Sequence, residues 1–520
     1  MAQSILQNFI GGSRQSDIDK VCDAFSLNMY VESQDTEQAN SPKILRSIYG
    51  TETFADLHES CCRGLFRVSR DENAEPHLYG CFGCTVYRID KDGRFNAIGD
   101  VANASNTPVH FCETGGYGDS HPHLIVVDGI SCFAVDTTLP YAEQVEDWRR
   151  IALPYRAAST DTYIQPTHCT YLYGYLCIND SGTDAFYLSY QYPFEVTDSH
   201  GSINYDIFYA DINGDYGGYG KAVYSEWMTD KTLAIAGNGS YLYTFGDRSY
   251  QCFSYNDDIN YPFTSPDNAA SAIGIRAVNS IATIGRSIFW LASSDIGQNG
   301  IYTAIGNDAQ RISTSDIERE ISKMSYPEDA IGQAWEENQH IFYAVTFVTD
   351  RKTFVYDVNE QRWHNRESYD CGLWRPQYAC FAYNKMFFGL LDDGKLIVTN
   401  SHKFTEYDGK PIVRLRKGGF VYANWSPMYC DAFRLITNNG QMRDDQYDLV
   451  PQIMMRYSWN GCNWSDTEIG LYGKVGEYGQ DTTWWHLGCG KYLTVEVSCS
   501  EDLEFTIIGA KIESEMTQLF

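Results

Sequence analysis

No run of about 18 consecutive apolar residues occurs in the chain, so a transmembrane helix is not expected. The first twenty residues, MAQSILQNFIGGSRQSDIDK, lack a basic segment followed by an apolar core, so no signal peptide is expected either. Positive charge is also scarce. Lys and Arg total 39 against 68 Asp and Glu, a net charge of −29. A surface that grips nucleic acid neutralises phosphates with clustered Lys and Arg, and this balance argues against one. A strongly negative body does suit a conduit through which DNA slides without adhering, although solubility alone would also explain it.

What is abundant points to β-structure. The 520 residues include 39 Tyr and 43 Gly, while the 43% hydrophobic and 21% charged fractions are ordinary for a globular chain. Tyr favours half-buried pleated surfaces, and Gly supplies the positive φ that tight turns need. The 16 Cys would suggest disulfides in an exported protein. Without an export signal a reducing compartment is expected, and thiols such as Cys112, Cys132, Cys177, Cys252 and Cys499 fall in strand-like runs where they pack as small hydrophobes. Cys81 and Cys84 in CFGC have the spacing of a zinc or redox pair, but no second C-x-x-C accompanies them, and packing beside a glycine bend is the expectation.

The segment KTLAIAGNGSYLYTFGDRSYQCFSY (231–255) holds three apolar stretches separated by GNGS and GDRS turns. Its connections are too short for crossover helices, so it reads as an antiparallel meander. Asp92-Gly93, Asp128-Gly129 and Asp393-Gly394 each sit between alternating runs and are expected to form type I′ hairpin turns. Two helices interrupt the pattern. RISTSDIEREISKM (311–324) combines a Ser315/Glu318 capping box with an Ile317/Ile321 apolar pair, giving a helix near 315–323. SDIDKVCDAF (16–25) has weaker helical character. The expected fold is all-β and β-propeller-like, with about six to eight blades. Residues 1–55 would form an N-terminal arm and 56–410 the propeller core. Residues 411–520 would complete the propeller or form a small β-domain.

Candidate chemistry is sparse. DINGDYGGYGKA (211–222) begins like a calcium loop with Asp211, Asn213 and Asp215, then has Tyr216 and Ala222 where an EF-hand needs Gly and Glu, leaving a weak cation site or a plain glycine loop. Its Gly220-Lys221 pair is not a phosphate loop. SWNGCNW (458–464) is similar to the turn motif of sialidase-type propellers, but has Asn460 at the acidic position and Cys462 at a glycine, so a β-turn is expected. His121 and His123 alternate on a strand without further ligands. The densest cluster lies in TFVYDVNEQRWHNRES (353–368), where Glu360, Arg362, His364, Arg366 and Glu367 surround Trp363. Alternation puts Phe354, Tyr356 and Val358 on one face and Thr353, Val355 and Asp357 on the other. His364 and Arg366 then share a face opposite Glu367, and acid/base partners need a shared pocket. No catalytic, cofactor or metal residue is therefore expected.

These residues carry a resemblance. Arg311–Thr314, Ile317–Glu318, Asp329–Ala330, His340 with Phe342–Tyr343, Thr353 with Val355–Asp357, and Trp363, His364 and Arg366 together resemble the pattern of tail-hub proteins of short-tailed bacteriophages, known as packaged-DNA stabilisation or head-completion proteins. LNMYVES (27–33) is similar to the N-terminal arm of that family, CRGL (62–65) to the opening of its first blade, and PQIMMRYSWNGCNW with WWHLG to its closing strands. SIYG (47–50) and the GCN at 461–463 depart from its pattern. The resemblance implies a non-enzymatic virion tail protein, assembled in the host cytoplasm into a homo-oligomeric ring, a hexamer. That ring would sit below the portal and adaptor, hold tail fibres or spikes, retain packaged duplex DNA, and open for ejection.

Two other classes fit parts of the sequence. A propeller glycosidase or lyase would use the plentiful carboxylates, and a retaining enzyme needs two of them about 5–5.5 Å apart in a concave site. A kelch-like interaction module would carry Gly-Gly doublets at about 50-residue intervals, which GGY (115–117), GGY (217–219) and GGF (418–420) do not keep.

Overall fold

The computed structural model describes every residue except 1, 7–8, 16–22, 35–40, 72, 74, 116–120, 155–162, 195–204, 209–221, 226, 229, 259–260, 267–268, 294–298, 423–425, 441, 444–445, 447–448 and 517–520. Among the described residues, antiparallel hairpins succeed one another as seven sheets, each built on four principal strands. They are blades 1 (62–100), 2 (110–150), 3 (169–224), 4 (234–271), 5 (274–311), 6 (331–365) and 7 (376–400). Blade 7 takes its fourth strand from near the N-terminus, where Gly50–Asp56 pairs with Lys395–Asn400. That pairing covers a sheet edge that would otherwise present unsatisfied backbone groups.

The core lies between blades. Seven hydrophobic clusters each join two consecutive blades, and the last joins blade 7 to blade 1 through Phe387, Leu396, Leu78 and Phe82. Alternation explains how one strand serves two interfaces. Along Lys352–Asp357, Phe354 and Tyr356 enter the cluster shared with blade 5, while Val355 enters the one shared with blade 7. The fold is an all-β propeller, closed on itself.

The remaining strands make a sandwich. One sheet runs Met29–Ser33, Lys43–Ser47, Thr506–Met516, Met428–Thr437, Thr482–Gly490. The other runs Asp23–Leu27, Arg414–Lys417, Thr494–Cys499, Gln452–Ser458, Glu468–Leu471. An eighth hydrophobic cluster fills the space between them, with Leu45, Phe433, Ile453, Val497 and Ile512 fully buried. The segment expected as an N-terminal arm thus supplies strands to both sheets as well as the closing strand of blade 7. Neither half of the sandwich could bury its apolar face alone. Leu27 pairs in parallel with Asn365, so the second sheet continues directly into blade 6.

Three local expectations are corrected. Residues 16–22 of the weaker helix lie outside the described set, but Asp23–Leu27 is a strand, paired with Arg414–Lys417. Tertiary pairing overrides the helical pattern there. The helix Ser315–Ser322 buries Ile317 and Ile321 as expected, but its N-cap is Thr314, with no side-chain cap, and Glu318 instead accepts the Ser313 hydroxyl at 2.6 Å. The Asp-Gly pairs do not form type I′ turns. At the first two only the glycine has positive φ, +86° at Gly93 and +88° at Gly129. Gly394 is required for another reason, because a Cβ there would lie 2.4 Å from the Glu59 backbone. Two-residue turns with both φ positive occur at Tyr173-Gly174, Asn338-Gln339 and Tyr383-Asn384.

Candidate functional site

The 353–368 cluster lies where blade 6 meets the sandwich, and it splits as alternation requires. Glu360 faces outward and accepts both the backbone N–H (2.9 Å) and the hydroxyl (2.7 Å) of Ser33. The Glu367 carboxylate accepts the N–H of Gly372 at 3.1 Å. Trp363 is buried against blade 5, and its indole N–H donates to the Ile312 carbonyl. Arg362 lies apart from these groups on the strand, half-buried.

His364 and Arg366 turn inward. Arg366 is 2% exposed, and its guanidinium sits 4.9 Å from the rings of Trp335 and Phe342 and 5.0 Å from that of Trp374. Its charge is met by Glu337, whose Oε2 accepts Arg366 Nη1 and the Trp335 indole N–H, both at 3.1 Å. Burial, followed by the adjacent Arg366 charge, holds His364 neutral, well below its usual range. Burial opposes charge on His340 too, but there the 2.7 Å bond and the charge of Asp357 outweigh it and raise the pKa. Tyr30 from the sandwich stands edge-on to both His340 and Phe342. Asn28, at φ +53°, bonds Glu367 and Val413 carbonyls through its amide and the Glu367 N–H through its oxygen. The cluster is a joint between two bodies. The cavity beside it, lined by Glu337, Arg366, Glu367 and Glu406, has a volume of about 20 Å³, room for a water and not for a sugar ring.

The other candidates also resolve into architecture. Gly83 and Cys84 are the two-residue turn of a blade-1 hairpin, while Cys81 is buried in the strand before it. Burial pushes the Cys81 thiol up to about 12, opposite to what a metal or redox thiolate needs. Arg63, fully buried, holds this turn by donating to the carbonyls of Gly83, Asn103 and Thr107. His121 bonds Thr138 and approaches Asp136 at the surface, whereas His123 is buried and stacked on Phe194 at 4.0 Å, so the two rings do not converge. At 458–464, Asn460 Oδ1 accepts the N–H groups of Cys462 and Asn463, and Gly461 has φ +78°, the β-turn expected. Residues 211–221, with the calcium-like loop and Gly220-Lys221, lie outside the described residues. Among the described residues no three His, Cys, Asp or Glu side chains are grouped to hold a metal.

One feature had no sequence signal. The inner edge of blade 5 is interrupted by the 3-10 turn Val278–Ser280, which projects inward. Asn279 Oδ1 lies 3.3 Å from Nε2 of His110 on blade 2, and the Val278 carbonyl lies 3.1 Å from Nε2 of His168 on blade 3. The two imidazole centroids lie 3.8 Å apart, with the rings tilted by 36°. Blade 5 adjoins neither blade 2 nor blade 3, so the contacts bridge the interior of the propeller. Burial lowers His110 to about 4, and burial with the His110 charge lowers His168 as well.

An open depression of about 770 Å³ is lined by Asp184, Asp230, Asp247, Lys231 and Arg248. The Asp230 carboxylate is already engaged, accepting the backbone N–H groups of Asp247, Arg248 and Ser249 at 2.7–3.1 Å.

Residues 215–402 match the family described as Bacteriophage P22 Gp10, beta-propeller. The matched span contains 311–368, where the sequence resemblance is densest, and it covers blades 4 to 7 of the ring. The match to this phage propeller family supports a bacteriophage structural protein. No curated protein matches the chain. Among solved structures it is similar to virginiamycin B lyase from Staphylococcus aureus, at 11% identity and a TM-score of 0.39, covering 66% of this chain and 95% of that one. It is also similar to the Neurospora crassa Pan2 WD40 domain, at 8% identity and a TM-score of 0.36, covering 65% and 88%. At such values neither likeness bears on activity.

Proposed function

We propose that the chain is a non-enzymatic structural protein of a phage virion tail. It is a subunit of a homo-oligomeric ring, a hexamer, that lies below the portal and adaptor, retains packaged DNA, anchors fibres or spikes, and lets DNA pass at ejection. The observation that carries this reading is the family match over 215–402, which falls on a closed propeller whose densest polar cluster is a structural joint. Side chains from blades 2, 3 and 5 bridge the propeller interior, which favours a DNA passage between copies of the chain rather than through one of them. The net charge of −29 suits such a passage, because like charge keeps duplex DNA from adhering.

The test is assembly onto portal complexes carrying packaged DNA. Adding the chain is expected to produce a ring of defined mass and to protect the DNA from leaking to added nuclease. A chain that never joins the portal complex, or joins without any effect on DNA retention, overturns the proposal. An enzymatic reading rests on the depression lined by Asp184, Asp230 and Asp247. It predicts sugar release from host envelope polysaccharide that disappears with Asp184→Asn and Asp247→Asn.

A further inference from the structure

Two cysteines from different blades meet at the inner end of the seam between blades 2 and 3. The strands that adjoin there are His110–Glu113 and Cys169–Leu172, each paired within its own blade on one side only. Two contacts fix how they lie against each other. The His110 and His168 ring centroids are 3.8 Å apart, and Cys169 Sγ lies 3.8 Å from the His110 carbonyl oxygen. Alternation places Cys112 on the same face of its strand as His110, turned toward blade 3. Cys112 sits in the apolar cluster between the two blades, and Cys169 packs against that cluster from the blade 3 side. The two thiols are hydrogen-bonded to each other.

The neighbouring thiols are set apart from this pair. Cys132 enters the same cluster fully buried, from the third strand of blade 2. Cys177 turns to the opposite face of blade 3, into the cluster shared with blade 4. Cys112 is 7% exposed and Cys169 is half-buried, so a small reagent reaches Cys169 first. The hydrogen bond with Cys112, and then burial, raise the Cys169 thiol well above its usual range. Thiolate is the attacking species, so this pair reacts slowly, as a structural cross-link does and a catalytic or sensing thiol does not.

We infer that Cys112 and Cys169 form a disulfide that ties blade 2 to blade 3 when the chain passes from a reducing to an oxidising compartment. The oxidant is a low-molecular-weight disulfide. The Cys169 thiolate attacks one of its sulfurs and expels one small thiol, leaving a mixed disulfide on Cys169. Cys112 then displaces the second small thiol, and the bond between the two blades closes. Two protein S–H bonds give way to one S–S bond, and the two electrons and two protons leave with the small disulfide, reduced to two thiols. In a reducing compartment the exchange runs backwards and packing alone holds the seam. Once closed, the bond encloses the other three strands of blade 2 in one covalent loop, which restricts the unfolded chain. The modification is independent of the ring proposed above.

The test uses the full chain, purified with reductant and exchanged into hydroxyethyl disulfide at mildly alkaline pH. Remaining thiols are blocked with iodoacetamide, and the chain is digested and mapped by mass spectrometry without reduction. Peptides joined through Cys112 and Cys169 are expected, accumulating faster as the pH is raised. The oxidised chain is expected to melt a few degrees above the reduced one. Cys112→Ser and Cys169→Ser should each lose the joined peptides and the rise in melting, while Cys132→Ser keeps both. Mapping of the wild type decides the matter by itself if a serine variant fails to fold. The exposed Cys462 and Cys489 report that the oxidant has acted. Cys112 and Cys169 recovered unlinked while those two carry mixed disulfides overturn the inference. So does a cross-link of Cys169 to Cys132, or a mixed disulfide that persists on Cys169.

Discussion

Acidification should weaken the propeller centre by an amount that can be worked out. His110 is half-buried where blade 2 meets the inward turn of blade 5, and desolvation there lowers its pKa from 6.5 to about 4. The unfolded chain therefore binds a proton between those values that the folded chain refuses, and stability rises with pH across that window. The stabilisation is complete above about pH 6.5 and fully lost below about pH 4. Its limit is about 3 kcal/mol at about 1.36 kcal/mol per pH unit, and about 2 kcal/mol is already lost at pH 5. The assay is urea unfolding followed by tryptophan fluorescence at pH 7.5 and pH 5, on the wild type and on His110→Gln. His168, His123 and His364 are lowered in the same direction, so the variant will keep some pH dependence. The difference between the two proteins isolates His110. If the midpoint falls equally in both, the imidazole is not held neutral by burial and the bridged centre is wrong.

Three further outcomes follow from the joint and the ring closure. Arg366→Ala should cost about 3–5 kcal/mol in urea unfolding by leaving Glu337 buried without its partner, whereas Arg366→Met combined with Glu337→Leu should recover most of that loss. Gly394→Ala should cost about 1–3 kcal/mol, because its Cβ meets backbone and not a flexible side chain. Thr53→Pro, in the strand that closes blade 7, should cost about 3 kcal/mol or more, and hydrogen exchange should speed up first along Lys395–Asn400.

The sequence disclosed the parts of the fold that local physics determines. Alternation in TFVYDV places each side chain in the interface it occupies, and the same alternation separates His364 from Glu367. The Ile317/Ile321 pair likewise located the helix. Long-range pairing left no such trace. Gly50–Asp56 begins within SIYG (47–50), which departs from the family pattern, and its partner strand lies some 350 positions later, so nothing local marks it as the closing strand of blade 7. Asp23–Leu27 carries a helical pattern, yet its partners, Arg414–Lys417 and Asn365, make it a strand. His110 and His168 gave no signal either. They sit in separate blades, and only the inward turn at Val278–Ser280 reveals that they meet.

The joint also constrains how such a molecule could move. The sandwich sheet runs into blade 6 through the Leu27–Asn365 pairing, and Asn28 fixes the corner with three hydrogen bonds. Tyr30 inserts into the blade 6–7 cluster beside Phe342, and Ser33 bonds Glu360 across the same boundary. A hinge needs a few loop residues free to absorb a change in φ and ψ, and this boundary is instead made of continuous sheet and packed aromatics. Propeller and sandwich therefore move together. In the ring proposed above, with the propeller interior bridged and no hinge at the joint, opening a passage for DNA would require subunits to shift against one another. Disulfide cross-links across the joint, as between cysteines replacing Ser33 and Glu360, should leave ejection intact, and cross-links between subunits should block it.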